Sequence, residues 1–119
     1  MAKTICMLSK KNRLTKREDF STVYLKGSYI GQDDLAIKYL QSNHPICRIG
    51  FSIGKNFSKK AVRRNRARRI LQEICRNYIQ SMKTGFDIVI MLKSGQEKLE
   101  FKKIKDVLKQ IFTKANLFT

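Results

Sequence analysis

A run of lysines and arginines between residues 55 and 69 is the part of the chain whose side chains point most directly to a chemistry. An arginine guanidinium group can bind two phosphate oxygens at once, and it can stack on nucleobases. The alternative is an ordinary solvated helix face, which normally mixes charges of both signs, whereas residues 55–72 contain no acidic residue. The run therefore predicts a polyanion-binding surface. Its basic residues are Lys55, Lys59, Lys60, Arg63, Arg64, Arg66, Arg68 and Arg69.

The composition favours nucleic acid as that polyanion. The 119 residues carry 26 lysines and arginines against 9 acidic residues, a formal net charge of +17. This balance is typical of proteins that bind nucleic acid or an anionic surface. The apolar run at residues 5–8 is too short for a signal-peptide core or a membrane span, so we expect a cytoplasmic protein without a membrane partner. The length of 119 residues predicts one domain, residues 1–119. Residues 1–13 are basic and aperiodic, which predicts a flexible arm.

The residues that hydrolyse phosphodiesters in protein nucleases are not clustered in this sequence. His44 is the only histidine, and the acidic residues are scattered. Such chemistry usually needs carboxylates that hold a metal or a histidine acid/base pair. The three cysteines, Cys6, Cys47 and Cys75, form no CxxC pair, and we interpret Cys47 and Cys75 as small core residues. We expect no catalytic residue, no protein-bound metal and no small-molecule substrate.

Hydrophobic periodicity predicts the elements that position the basic run. The spacing Thr15-x-x-Glu18 is typical of a capping box and predicts a helix over 16–26 that ends at Gly27. Alternating residues predict strands over 28–30, 35–40 and 47–53, the last two joined as a hairpin. A helix capped by Ser58 is predicted to continue to Met82. A strand over 86–93 and a helix over 100–115 complete an αβββαβα order, an α+β sandwich with helices against one four-stranded sheet.

Helical phasing separates two sides of the basic helix. At 100° per residue, one side is apolar and the opposite side carries Asn65, Arg69, Gln72 and Arg76. Arg63 and Arg64 fall on the inward side, at the edge of the core. The predicted buried residues are Ala67, Ile70, Leu71, Ile74, Tyr78 and Met82.

A second surface is indicated by Phe20 and Tyr24, one turn apart on the first helix. Core packing is the alternative for these rings, and for Phe20 alone it is slightly favoured. Ala36, Lys38 and Ser52 give one face of the sheet small or basic side chains, which leaves room for a groove. Aromatic stacking beside a basic groove is typical of proteins that bind single-stranded nucleic acid.

The chain resembles the bacterial ribonuclease P protein family, and the resemblance covers most of its length. The matching motifs run from Asn12-Arg-Leu14 through Glu18-Asp-Phe20, Tyr24, Gly27, Arg48-Ile-Gly50 and Lys55. The most distinctive one is Ala61-Val-Arg-Arg-Asn-Arg-Ala-Arg-Arg69, in which Arg64-Asn65-Arg66 is followed by Arg68-Arg69.

The resemblance implies a protein subunit of an endoribonuclease that removes the 5′ leader of precursor tRNA. In the family a catalytic RNA performs the hydrolysis and holds the magnesium ions, so the implied partners are that RNA and precursor tRNA. It also implies a ribosomal protein S5 domain 2-like fold, a two-layer sandwich on a mixed sheet with a left-handed βαβ crossover. Residues that match the helix contacting the catalytic RNA are Arg63, Arg64, Asn65, Arg66, Arg68 and Arg69, preceded by Lys59 and Lys60. Residues that match the 5′-leader cleft are Phe20, Tyr24, Ala36, Lys38 and Lys55.

The chain departs from the family pattern at three positions. Lys38 stands where many relatives carry an aromatic residue, Gln72 where a further basic residue is common, and Ala67 where a larger aliphatic residue is common. The alternative function is a ribosomal protein or general RNA chaperone without a role in catalysis. A self-sufficient metal nuclease is a third class, and it would cleave RNA without an RNA partner.

Overall fold

A computed structural model describes residues 8–92 and 100–119, and within them the predicted αβββαβα order is confirmed. Two short 3-10 turns, Lys10–Asn12 and Ile79–Ser81, flank the first and second helices. The predicted strand 86–93 and helix 100–115 match the structure closely, although Lys93 lies outside the described residues. The elements are α1 (Arg17–Lys26), β1 (Ser28–Gln32), β2 (Leu35–Gln41), β3 (Arg48–Ser52), α2 (Ala61–Tyr78), β4 (Phe86–Leu92) and α3 (Phe101–Lys114).

The four strands form one mixed sheet in the order β1-β2-β4-β3. β2 is antiparallel to both β1 and β4, and β3 is parallel to β4. The predicted hairpin between β2 and β3 is therefore wrong, because β4 lies between them. Apart from Asp87, both alternating sets of β4 are apolar, and such a strand is stabilised where both of its faces are covered. The hairpin is instead β1–β2, with Asp33 in the left-handed region at φ 55°.

The two faces of the sheet carry different layers. Ile37, Ile49, Ile88 and Ile90 are fully buried in the main core beneath α2 and α3. The opposite face carries α1, whose Val23 packs with Leu14 and Val89 in a smaller cluster. The alternation of each strand thus assigns one set of side chains to the main core and the other to the α1 side.

Both predicted helix caps are wrong. Lys16 is the N-cap of α1, and no side-chain hydrogen bond caps that helix, so Thr15 does not form the capping box. α2 begins at Ala61 with Lys60 as N-cap. The Ser58 hydroxyl oxygen accepts a hydrogen bond from the backbone N–H of Lys60 at 3.2 Å, so it closes the turn before the helix. Local hydrogen bonding of serine to nearby backbone competes with capping.

The second half of the predicted flexible arm is attached to the sheet. Residues 1–7 lie outside the described residues, but Leu8 is fully buried in the main core. The Asn12 side-chain amide donates a hydrogen bond to the Cys47 carbonyl oxygen at 2.8 Å, and the Leu14 N–H donates to the Ile49 carbonyl oxygen at 2.9 Å. We call residues 8–15 the strap. It lies along β3, a sheet edge that would otherwise present unpaired backbone groups.

The buried cysteines predict low thiol reactivity. Burial, with a smaller effect of Asp87, raises the pKa of Cys47 to about 12, and burial raises the pKa of Cys75 as well. The thiolate is the reactive form, so at pH 8 the raised pKa leaves both groups almost entirely as unreactive thiols. In a Cys6→Ser variant, a colorimetric thiol reagent should therefore react only as the protein unfolds in urea. Rapid reaction in the absence of urea would contradict this burial.

Candidate nucleic-acid interface

Seven basic residues in and just before α2, together with Asn65, form a surface that we call the arginine surface. Six of its eight members are exposed, and Arg64 and Arg68 are half-buried. Arg64 lies at the edge of the core as predicted, whereas Arg63 is exposed. The arginine surface comprises Lys59, Lys60, Arg63, Arg64, Asn65, Arg66, Arg68 and Arg69.

The two half-buried arginines are held by hydrogen bonds to neutral groups. Arg64 Nη1 donates to the Ser58 carbonyl oxygen at 2.9 Å, and Arg68 Nη1 donates to Asn65 Oδ1 at 3.2 Å. Each guanidinium has five N–H donors, so both keep donors for phosphate oxygens. These hydrogen bonds favour one orientation of Arg64 and Arg68 before any RNA binds, which lowers the entropy lost on binding.

No carboxylate within residues 8–92 and 100–119 neutralises the arginine surface. Both ion pairs in this part of the chain belong to Arg48, with Asp87 at 2.8 Å and with Asp19 at 3.4 Å. Positive groups without acidic partners repel one another on a helix, and bound phosphates relieve that repulsion. The charge pattern predicted from the sequence is therefore present on the folded surface.

Gln72 lies inward, which contradicts its predicted place on the outer side of α2. Its side chain is only 8 % exposed, and Gln72 Oε1 accepts no hydrogen bond from the described residues. The strap explains the difference, because Arg13 and Leu14 enclose the side of α2 that faces β3. Periodicity within one helix gives no information about a segment that covers it from elsewhere. The remaining inner face is confirmed at Ala67, Leu71 and Ile74.

The α1 side of the sheet carries the aromatic residues predicted for the second surface. Phe20 and Tyr24 are both half-buried. Lys38 Nζ donates a hydrogen bond to the Tyr24 carbonyl oxygen at 2.8 Å and lies 5.5 Å from the centroid of the Tyr24 ring. We call Phe20, Tyr24, Lys38 and Tyr29 the aromatic cleft. Its rings and ammonium group are the features that bind successive bases and phosphates of a single strand.

Phe20 combines both roles that its sequence position suggested. Its ring lies on the backbone of β3 at Gly50, where an added Cβ would come within 2.5 Å of the ring. Glycine is therefore required for this close approach of ring and strand. Phe20 also packs against the smaller cluster of Leu14, Val23 and Val89. The Phe20 side chain is thus partly packed in the core and partly exposed.

The other two predicted cleft residues, Ala36 and Lys55, differ from the rings in exposure. Ala36 is fully buried, so its methyl group lies beneath the surface of the aromatic cleft. Lys55 is exposed in the turn between β3 and α2. Tyr29 was missed, although it pairs with Lys38 across β1 and β2 and is 51 % exposed. Directly paired residues share a face, so the pairing of β1 with β2, which the sequence does not specify, places Tyr29 beside Lys38.

Arg48 belongs to a motif that matches the family, but the sequence did not predict its structural role. Its guanidinium makes two hydrogen bonds to the Asp87 carboxylate, at 2.9 and 2.8 Å, and a third to Asp19. These bonds, chiefly those to Asp87, raise the pKa of Arg48. Because Asp19 lies in the first turn of α1, the network links α1 to β3 and β4. It thereby positions Phe20, the residue after Asp19.

The described residues contain neither a candidate metal site nor a candidate membrane-spanning helix. Among them, no group of three or more histidine, cysteine or carboxylate side chains lies close enough to hold a metal ion. None of the helices in the same part of the chain is long and apolar enough to cross a membrane.

The fold and its two surfaces define a small α+β RNA-binding protein of a kind that positions RNA. The family model described as Ribonuclease P matches residues 8–116. A relative from Pseudanabaena, named ribonuclease P protein component, is 39% identical over 112 residues, covering 93% of this chain and 97% of its own. A relative of the same name from Dehalococcoides mccartyi is 38% identical and covers 94% and 91%. The chain belongs to the ribonuclease P protein family.

Solved structures of bacterial ribonuclease P proteins share the fold. The protein from Staphylococcus aureus has a TM-score of 0.81 at 21% identity, over 91% of this chain and 98% of its own. The protein from Thermotoga maritima has a TM-score of 0.71 at 23% identity, over 83% and 94%. The α+β fold predicted from the sequence is therefore confirmed.

Proposed function

We propose that the chain is the protein subunit of ribonuclease P in the cytoplasm, where it binds a catalytic RNA and assists removal of the 5′ leader from precursor tRNA. The observation that carries the proposal is the arginine surface, which lies on a family-specific motif and has no acidic partner among the described residues. A rigid helix of this kind suits double-stranded RNA, whose shape and phosphates are more accessible than its base edges.

The aromatic cleft supports the second half of the proposal. It lies on the sheet face opposite α2 and α3, so it can bind a different segment of RNA from the one on the arginine surface. Single-stranded leader fits this site, since its bases are free to stack on Phe20, Tyr24 or Tyr29. Lys38 adds a positive charge beside the rings, where a phosphate of the leader would lie.

The two binding surfaces suggest separate roles for the protein and for the catalytic RNA. The protein's residues hold and orient the RNA, and we assign the magnesium ions and the hydrolysis to the RNA subunit. Phosphate neutralisation by the protein lowers the charge repulsion between the catalytic RNA and the precursor. It should therefore reduce the magnesium concentration that cleavage requires.

The test is cleavage of precursor tRNA by the catalytic RNA at low magnesium, with and without the protein. We expect the protein to accelerate cleavage, and to produce none without the catalytic RNA. A ribosomal protein or general RNA chaperone would bind the RNA and leave the cleavage rate unchanged. Cleavage by the protein alone would support the metal nuclease instead.

Replacing Phe20 with alanine should weaken binding of leader-bearing precursor tRNA more than binding of mature tRNA. Loss of one stacked base costs about 1–3 kcal/mol, or roughly 5- to 150-fold in affinity. Fluorescence titration of the holoenzyme with both RNAs measures the difference. Mature tRNA has no leader, and its affinity should change less than about twofold.

A Phe20→Leu variant separates stacking from packing. Leucine retains apolar contact with the Gly50 backbone but cannot stack on a base. We expect it to lose leader affinity like Phe20→Ala while losing less of the free energy of unfolding. If both variants weaken the two RNAs equally, Phe20 has only a structural role.

A further inference from the structure

The strap connects the two hydrophobic clusters of the molecule around the edge of β3. Leu8, at its beginning, is fully buried in the main core, and Leu14, near its end, is buried in the smaller cluster beneath α1. Between these two anchors, Asn12 Nδ2 donates a hydrogen bond to the Cys47 carbonyl oxygen at 2.8 Å. The Asn12 side chain therefore attaches the strap to the sheet at a point between the two clusters.

We infer that Asn12 is a positioning residue for the aromatic cleft. It holds the strap on β3, and the strap in turn holds Phe20 in the orientation that contacts the 5′ leader, although Asn12 itself does not touch the RNA. The inference rests on the proposed function, because it assumes that Phe20 stacks on the leader. It adds to the side chains of the cleft a residue at the edge of the sheet that determines how one of them is placed.

The hydrogen bonds of the strap explain why an asparagine stands at position 12. In a parallel strand pair the bonds are evenly spaced, so alternate N–H groups of one strand donate to alternate carbonyl oxygens of its neighbour. Leu14 N–H follows this pattern, since it donates to the Ile49 carbonyl oxygen at 2.9 Å. The next such pair would join residues 12 and 47, but the Asn12 N–H donates to the Ser9 carbonyl oxygen instead. The Asn12 side-chain amide supplies the missing donor, so the strap keeps its register along β3.

The end of the strap and the Phe20 ring lie on the same part of β3. A Cβ atom added at Gly50 would lie 2.5 Å from the Phe20 ring and 3.0 Å from the Leu14 carbonyl oxygen. The Leu14 side chain is also buried in the cluster on which Phe20 packs. A binding side chain keeps its orientation only where its neighbours hold it by packing. Detachment of the strap would therefore remove one wall of the Phe20 site and leave the ring free to turn away from the leader.

The chain itself gives the strap a second route to Phe20. α1 begins at Arg17, three residues after Leu14, so a shift of the strap passes directly to the first turn of α1. The same turn is held from the other side by the hydrogen bond between Arg48 and Asp19. The strap and the Arg48 network are thus two separate attachments that fix the turn preceding Phe20.

Asn12→Leu tests the inference in the assembled holoenzyme, with Asn12→His as the restoring variant. Leucine resembles asparagine in shape but has no N–H to donate, whereas histidine can donate its Nδ1–H in place of the amide. Asn12→Leu should weaken binding of leader-bearing precursor tRNA by about 5- to 10-fold, because the stacking ring is misplaced rather than absent. Mature tRNA offers no leader bases to stack, so its affinity should change by less than about twofold. Asn12→His should recover most of the lost affinity.

Three further measurements separate positioning from direct RNA contact and from general destabilisation. Hydrogen exchange of the Leu14 N–H should become faster in Asn12→Leu, because its bond to Ile49 opens more often. The affinity for the catalytic RNA and its salt dependence should not change, because no phosphate contact is lost. In a Phe20→Ala background, Asn12→Leu should have no further effect on leader affinity, because a residue that acts only through Phe20 is not additive with it.

Additive effects of Asn12→Leu and Phe20→Ala would overturn the inference, as would equal losses for precursor and mature tRNA. A weaker and less salt-dependent affinity for the catalytic RNA would also overturn it, since Asn12 would then be an RNA contact. Unchanged hydrogen exchange at Leu14 would overturn it as well, because the side-chain bond would not hold the strap. None of these results affects the proposed function, which wild-type acceleration of precursor tRNA cleavage would still support. Absence of that acceleration would instead remove the function on which the inference rests.

Discussion

Replacement of Arg63, Arg66 and Arg69 by glutamine should weaken binding of the catalytic RNA by roughly a hundredfold at moderate salt. Each of these side chains is exposed, and none has an acidic partner among the described residues, so each is available to a phosphate. The plot of log affinity against log salt should become shallower by roughly 2 to 3, since each phosphate contact contributes about 0.7 to 0.9. Filter binding at several salt concentrations measures both quantities.

A matched variant controls for the change in net charge. Lys102, Lys103 and Lys109 are exposed on α3, and their replacement by glutamine removes the same three charges from another surface. The lysine variant should retain most of the affinity and nearly the wild-type slope. If both triple variants lose the same slope, diffuse charge rather than the arginine surface determines binding.

The arginine variant should also fold at least as well as the wild type. It removes like charges that repel one another along α2, a repulsion of a few tenths of a kcal/mol for each pair. We therefore expect its free energy of unfolding to be unchanged or slightly higher. A lower free energy of unfolding would indicate a damaged fold, whereas an unchanged or higher value would indicate that lost RNA contacts cause the weaker binding. Arg64 and Arg68 suit the experiment less well, because each also makes a hydrogen bond within the protein.

The second large effect is expected at Arg48. An Arg48→Met variant leaves the Asp87 carboxylate without its two hydrogen bonds, and the Asp87 side chain is only 9 % exposed. Removal of one partner of a buried ion pair costs about 3–5 kcal/mol. Because Arg48 itself is partly exposed, we expect a loss near the lower limit, about 3 kcal/mol. Urea unfolding followed by circular dichroism measures it.

Two further variants identify the cause of that loss. Arg48→Met combined with Asp87→Leu removes both charges and should recover most of the stability, because a buried pair replaced by apolar residues is often nearly neutral. Asp19→Asn removes the more exposed carboxylate and should cost less than about 1 kcal/mol. If the double variant is no more stable than Arg48→Met alone, an unpaired buried carboxylate is not the cause.

The sequence predicted the helices and strands of this fold better than it predicted which strands pair with each other. Apart from Asp87, both alternating sets of β4 are apolar, a pattern typical of a strand that is covered on both faces, and most of its side chains are buried. The alternation of β2 and β3 indicated two strands, but alternation does not specify which strand pairs with which. Pairing depends on contacts between residues distant in sequence, and β4 enters the sheet between two strands that precede it.

In the candidate site, too, features formed by residues close together in sequence were predicted, and features that depend on distant segments were not. The arginine surface was predictable because its residues are close together on one helix. Gln72, Arg48 and Tyr29 were not, because each acquires its environment from another segment. The strap covers Gln72, a carboxylate 39 residues away binds Arg48, and β2 places Lys38 beside Tyr29. No local pattern in the sequence contains these partners.

The central position of β4 also determines the order in which the sheet assembles during synthesis. Both of its neighbours precede it in the chain, and residues 53–85 separate it from β3. Until β4 emerges from the ribosome, the β1–β2 hairpin is the only pair of these strands that can form. β3 has no strand to pair with until β4, which is made after it, has emerged. Closing such a long connection slows folding, so substitutions in β4 should delay the appearance of RNA-binding protein as well as destabilise it.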